Sequence, residues 1–167
     1  MSTRTWIAVA FAAASAGVAQ GFGRFTLGVV LPAMRADLGL SNTVAGSIAT
    51  ANVAAYLVGT LAVAIAASRI RLLTIMQIGL IIAVGGQVLS AVAPNAAVLM
   101  FGMFCCGFGG AWVWIPTPVV ASAAFPAEKR GTAIGLLSSG MALSIVFTSQ
   151  LAGWVRRVWG DEGWRNL

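Results

Sequence analysis

LLTIMQIGLIIAVGGQVLSAVAPNAAVLMFGMFCCGFGGAWVWIPTPVVASAAFPA, residues 72–127, runs for 56 residues between Arg71 and Glu128 without one charged side chain. A charge at the bilayer centre costs at least about 2.5 kcal/mol, so an uncharged stretch of this length reads as membrane-embedded chain. One helical crossing takes about 20 residues. The stretch therefore holds two crossings, and Ala93-Pro94-Asn95 reads as the turn between them, because Pro and Asn favour chain reversal.

The same rule extends outward from this stretch. Leu38 to Ser68 is free of charge, the run from Trp6 to Met34 contains one charge, Arg24, and a last apolar run extends from Gly131 to Val155. Helices are expected at about 6–34, 44–68, 71–92, 96–122 and 130–155, with an external tail over 156–167. Composition agrees: 8% of residues are charged and 59% hydrophobic, mean hydropathy is +0.93, and a soluble domain carries roughly 25% charged residues. A β-barrel would alternate apolar and polar residues along strands of about ten, whereas these runs are apolar throughout. The fold class is all-α, a polytopic helical membrane protein of about five transmembrane helices in a single membrane domain, 1–167.

The ten Lys and Arg, which give a net charge of +6, are scattered over loops and ends. That distribution lacks the basic stripe of a nucleic-acid interface and reads as a topology signal. With the N-terminus in the cytoplasm, Arg4, Arg69, Arg71, Lys129 and Arg130 are inside, and the first two outer loops carry only Arg35. Arg156, Arg157 and Arg165 of the tail are outside, diluted by Asp161 and Glu162. Ala14-Ser15-Ala16 imitates a signal-peptide cleavage site, but the apolar run continues past it to Met34, which favours a membrane span.

Catalysis finds no support. The chain has no His, Cys105 and Cys106 are adjacent within an apolar run, and Asp37, Glu128, Asp161 and Glu162 all fall outside the spans. No phosphate-cradling Gly-x-x-x-x-Gly-Lys loop is present. Neither an enzyme, a cofactor nor a metal centre is expected.

The chain echoes itself. GFGRFTLGVVLPAM at 21–34 and GFGGAWVWIPTPVV at 107–120 align so that Gly21, Phe22, Gly23 and Pro32 recur 86 positions later as Gly107, Phe108, Gly109 and Pro118. Gly- and Pro-interrupted helices in matching positions point to the substrate pathway of repeat-built transporters. The glycines also let helices approach closely, as do Gly17 and Gly28 in the first span and Gly131, Gly135 and Ser139 in the fifth.

Arg24 is the ionisable residue within a span, and two readings stand for it. It holds an anionic substrate or a carboxylate partner, or, at about 27 Å along the helix from Trp6, it snorkels to the outer interface. Asn52, Tyr56 and Gly59 share a face of the second span, to line a cavity or to bond between helices. In the fourth span Trp112, Trp114, Pro116 and Thr117 lie away from the interfacial belt, as a cavity wall or as packed core, while Gln77 and Gln87 fall on different faces of the third. Trp6, Trp154, Trp159 and Trp164 read as interface anchors.

GFGRF at 21–25, LPAMRADLGLS at 31–41 and AGSIATANVAAYLVG at 45–59 resemble the start of bacterial major facilitator superfamily (MFS) transporters, in particular the YbfB/YjiJ-type branch. Phe125-Pro126, Lys129-Arg130-Gly131 and Gly163-Trp164-Arg165 extend the resemblance over nearly the whole chain. It implies proton-coupled secondary transport of a small molecule across the bacterial inner membrane, with substrate held near the midplane between two six-helix halves. The chain is then expected to be a fragment, an incomplete N-terminal half, whose partners are the lipid bilayer, a small-molecule substrate and the remaining helices. The alternative is a non-transporting helical subunit of a larger assembly. Two departures stand out: ASRIR at 67–71 lacks the acidic residue usual in that loop, and AVLMFGMFCC at 97–106 lacks the arginine many members carry.

Overall fold

A computed structural model describes residue 10 and residues 13–123 and 125–166, and for 22–26, 161, 162 and 166 the backbone alone. The described residues are helical and include no strand. The first span is helical over 13–16, continues as a π-helical segment Gly17–Phe25, and resumes as α1, Thr26–Asp37. The second and third spans are α2, Asn42–Ala66, and α3, Leu72–Ala91. The fourth is α4, Ala96–Trp114, followed by the short α5, Thr117–Ala123. The fifth is α6, Arg130–Trp159, preceded by a 3-10 turn at Ala127–Lys129 and followed by another at Gly160–Asn166. Among the described residues four helical stretches are long and apolar enough to cross a membrane: 42–66, 72–91, 96–123 and 127–159.

Local chemistry starts and stops these helices. The Ser41 hydroxyl accepts the Val44 N–H at the N-terminus of α2, and Asn95 Oδ1 accepts from both Ala97 and Val98 N–H at that of α4. Each cap supplies acceptors that the first helical turn lacks. Pro116 and Pro118 remove two donors and break the fourth span. There the Thr117 hydroxyl donates to the Val113 carbonyl at 2.6 Å, so the break leaves that oxygen paired.

The fourth span is the axis of the bundle, with half of its most apolar window buried, against 17% for the fifth. It can lie between α2 and α3 because its contact positions are small. A Cβ on Gly109 would stand 2.5 Å from the Gly79 carbonyl oxygen of α3, and one on Gly86 would stand 2.7 Å from the Gly102 oxygen of α4. Gly107 meets the Asn52 backbone of α2 in the same way. Close backbone approach replaces the water-driven association that lipid does not provide.

Large apolar side chains such as Leu57 and Leu61 on α2, Ile81 and Val88 on α3, and Leu143 and Phe147 on α6 face outward. A surface of this kind suits lipid. One end of the bundle has an apolar core of Leu27, Val30, Ala33 and Met34 of α1 packed with Ile48, Ala93, Leu99, Met103 and Trp164.

Three expectations need correction. Trp164 is no interface anchor: it is 5% exposed and its Nε1 donates to Asp37 Oδ2 at 3.0 Å, because the turn after α6 folds it back under the end of α1. Trp154 and Trp159 stay half exposed, edge to face at 5.3 Å. Gly131, Gly135 and Ser139 pack against nothing described, since that stripe of α6 turns away from the other helices. Finally, the first span is not one uninterrupted helix, because its middle is wound as a π-helix. Trp6 lies outside the described residues.

Candidate functional site

A π-helix of nine residues inside a membrane span is uncommon, since π turns usually occur singly and cluster at functional sites. Any hydrogen bond to its carbonyls beyond those within the helix must come from protein, because lipid supplies none. Here the partners come from other spans. Gln87 Nε2 of α3 donates to the Val18 carbonyl at 3.2 Å, and the Ser144 hydroxyl of α6 lies 3.4 Å from that of Gly17. The same hydroxyl lies 2.8 Å from the Met141 carbonyl of its own helix, so its single hydrogen is shared between the two oxygens, and the Ser144 carbonyl accepts from the Thr148 hydroxyl. In return, the buried Gln20 sends its Nε2 to the Gly110 carbonyl of α4 at 3.3 Å. The π segment is thus tied by side chains to three other spans.

A Cβ on Gly110 would lie 3.4 Å from the Ala19 carbonyl oxygen and 4.0 Å from both Gln20 Nε2 and Tyr56 Cδ2. Gln20 and Tyr56 of α2 thus border the same glycine of α4, at a junction of three spans. Asn52, one turn earlier, is fully buried in the α2–α4 contact, where Nδ2 donates to the Met103 carbonyl at 2.8 Å. Trp112 lies on the other side of α4, against Gly79 of α3, with Phe108 tilted over it at 5.4 Å. Its Nε1 is buried and has no hydrogen-bond partner among the described residues. Trp114 is half-buried, and Thr117 is buried and bonded within its own span.

Of the Gly and Pro positions, Gly21 faces Ser144 of α6, while Gly107 and Gly109 are contact points of α4 on two different sides. Pro32 sits inside α1, and Pro118 in the first turn of α5, where a missing N–H costs little. Gly23 and Arg24 fall within the π segment, and the Arg24 side chain lies outside the described residues. The sequence candidates thus divide between the Gln20–Tyr56 junction and the helix contacts around it.

Sequence reasoning passes over Gln20, Ser144 and Thr148. The signal was available, since each is a polar side chain within an apolar span, but hydroxyl and amide groups in such spans are common enough that only a partner singles them out. Chemically the junction offers amide, hydroxyl and carbonyl groups, fit for reversible hydrogen bonding and unsuited to bond-making chemistry. Among the described residues no group of three His, Cys, Asp or Glu meets to hold a metal.

Long apolar helices in contact through small residues, with a polar junction between spans, define a multi-pass helical membrane protein. Residues 13–167 match the family model of the Major Facilitator Superfamily, and the chain belongs to that superfamily. It is 35% identical over 69 residues to the MFS-type transporter opaD of Aspergillus ustus, covering 41% of this chain and 12% of that protein. It is 28% identical over 141 residues to the uncharacterized transporter YgaY of Escherichia coli O157:H7, covering 83% of this chain and 34% of that protein. The chain spans about a third or less of the length of these curated relatives. Both relatives are described as transporters.

Proposed function

We propose that the chain forms part of a secondary carrier that moves a small molecule across the bacterial inner membrane, driven by the proton gradient, with its substrate pathway beside the Gln20–Tyr56 junction. The observation that carries this reading is the π segment of the first span, which is hydrogen-bonded to α3 through Gln87 and to α4 through Gln20. Transporters build their sites from such interrupted helices, because unwound backbone offers hydrogen-bonding groups that a regular helix keeps to itself. The neighbouring Tyr56, Gln20 and Gly110 supply donors and acceptors. The sequence places no acidic side chain inside a span, so the proton-carrying group comes from the rest of the carrier or from the substrate. The N-terminus is cytoplasmic in this reading, and the stretches 21–25, 31–41 and 45–59 support the YbfB/YjiJ-type branch.

The test uses the full-length protein in proteoliposomes that enclose a pH-sensitive dye, with a proton gradient imposed and a panel of small polar solutes added in turn. Solute-dependent proton movement that Tyr56→Phe and Gln20→Leu weaken supports the reading. Solute flux indifferent to the gradient removes the proton coupling. No flux from any solute, together with stable co-purification of another membrane protein, would favour a non-transporting subunit.

A further inference from the structure

The loop between α1 and α2 holds a cation that the described residues do not neutralise. Arg35, in the last turn of α1, donates from Nε to the Leu40 carbonyl at 3.2 Å, and the Leu40 N–H returns a bond to the Arg35 carbonyl at 2.9 Å. This exchange fixes the guanidinium beside the loop. Among the described residues its two Nη groups make no hydrogen bond or ion pair. The acid two residues on is already engaged, since Asp37 Oδ2 accepts from Arg165 Nη2 at 2.9 Å and from Trp164 Nε1 at 3.0 Å.

An apolar groove runs away from this charge. The inner side of α1 packs on Ile48, Leu99 and Met103, so the groove follows its other flank, between Gly28, Leu31 and Pro32 of α1 and Ala45 and Gly46 of α2. Arg35 and Asn42, the first residue of α2, line its mouth. The positive end of the α2 dipole adds to the field of the arginine there. From Arg35 to Gly28 the groove extends roughly 10 Å along the helix. Its unfilled space is about 340 Å³, room for on the order of ten groups the size of a water molecule. Glycine makes that room, because a Cβ added at Gly28 or Gly46 would meet nothing within 4 Å. Val53 and Leu57, both exposed, continue the Gly46 stripe of α2 at helical spacing, so the groove opens onto an apolar outer face.

A cationic mouth over an apolar channel, at the end of a membrane span, has the polarity order of a phospholipid. A phosphate offers a guanidinium two oxygens for parallel N–H bonds, and a hydrocarbon chain fills space that bare backbone leaves empty. Basic pockets between membrane helices hold lipid headgroups by the same chemistry. A helix of the remaining carrier fits less well, since covering the guanidinium without an acceptor would bury an unpaired charge. We propose that the α1–α2 groove binds one anionic phospholipid, with an acyl chain between Gly28 and Gly46 and the phosphate on Arg35 and Asn42. The site does not rest on the transport reading, and no solute is needed to observe it.

The experiment reconstitutes the full-length protein in phosphatidylcholine vesicles that carry a trace of lipid with a photoreactive diazirine in its acyl chain. The headgroup of that trace lipid is phosphatidylglycerol in one preparation and phosphatidylcholine in the other. Mass spectrometry after irradiation reads the label on residues 28–46 and, as a measure of ordinary lipid contact and of intact fold, on the outward face at Leu57 and Leu61. Phosphatidylglycerol is expected to label 28–46 about fivefold more than phosphatidylcholine, the preference one arginine near the surface gives an anionic lipid, and to label Leu57 and Leu61 equally. Arg35→Gln should abolish the preference. Gly46→Leu, whose side chain occupies the groove, should lower labelling of 28–46 by both lipids and leave Leu57 and Leu61 unchanged. Equal labelling of 28–46 by the two lipids overturns the proposal, as does a preference that survives Arg35→Gln. Labelling confined to Leu57 and Leu61 also overturns it, and would mean that another helix of the carrier covers the groove.

Discussion

Gly109 and Gly85 are both helical glycines in apolar spans, and they differ in what a methyl group would meet. Gly109 faces backbone atoms of α3, with the Gly79 oxygen 2.5 Å and the Ala83 nitrogen 2.6 Å from an added Cβ, whereas Gly85 has nothing within 4 Å. Backbone cannot rotate aside as a side chain can. Gly109→Ala is therefore expected to destabilise the protein by roughly 1–3 kcal/mol, as other overpacked positions do. Gly85→Ala should leave stability unchanged or raise it by up to about 1 kcal/mol through helix propensity. Thermal unfolding of the two variants in detergent separates them. Asn52→Leu removes the bond to the Met103 carbonyl, and its expected cost is about 0.6–1.7 kcal/mol by the same measurement, the range found for hydrogen bonds between membrane helices. At this scale the sequence shows which residues are small or polar and not what they face. Gly131 and Gly135 have the same spacing as a packed pair, yet they point into open space.

At the scale of an element, the first span teaches most. Its apolar run reads as one helix, because hydropathy records only that a stretch prefers lipid. Whether a peptide N–H bonds four or five residues back is a small local difference, and here distant donors accompany the wider winding: Gln87 bonds Val18 across 69 positions and Ser144 approaches Gly17 across 127. Both act on the same segment. Gln87→Leu and Ser144→Ala should each cost about 0.5–1.5 kcal/mol, with a double variant that departs from additivity by more than about 0.5 kcal/mol. Unfolding of the four proteins of this cycle in detergent measures it, and strict additivity would show that the two bonds act independently. The fourth span was more legible. Pro116 and Pro118 announce an interruption in the sequence, and the structure breaks the helix there, since the missing donors are a covalent property of those residues.

Over the whole molecule, the exposed apolar faces and the distribution of charge lead to two expectations. Leu57 is 63% exposed near the middle of α2, and Leu57→Arg should reduce membrane insertion by an apparent ~2.5–3.5 kcal/mol, read by glycosylation mapping of the inserted chain. With a cytoplasmic N-terminus, a fluorescent reporter that matures only in the cytoplasm should glow when fused after Ile70 and stay dark when fused after Pro94. The reverse pattern would invert the topology. The helical membrane character and the separation into spans follow from the sequence by itself, because the cost of placing a charge in lipid belongs to each residue and adds up along the chain without reference to its neighbours in space. Only the tertiary structure decided that Gln20 and Tyr56 both border Gly110, that α4 is the axis, and that Trp164 and Arg165 close on Asp37 across 127 and 128 positions. A hydrogen bond or a close approach is a property of two surfaces, and no local pattern in either one specifies the other.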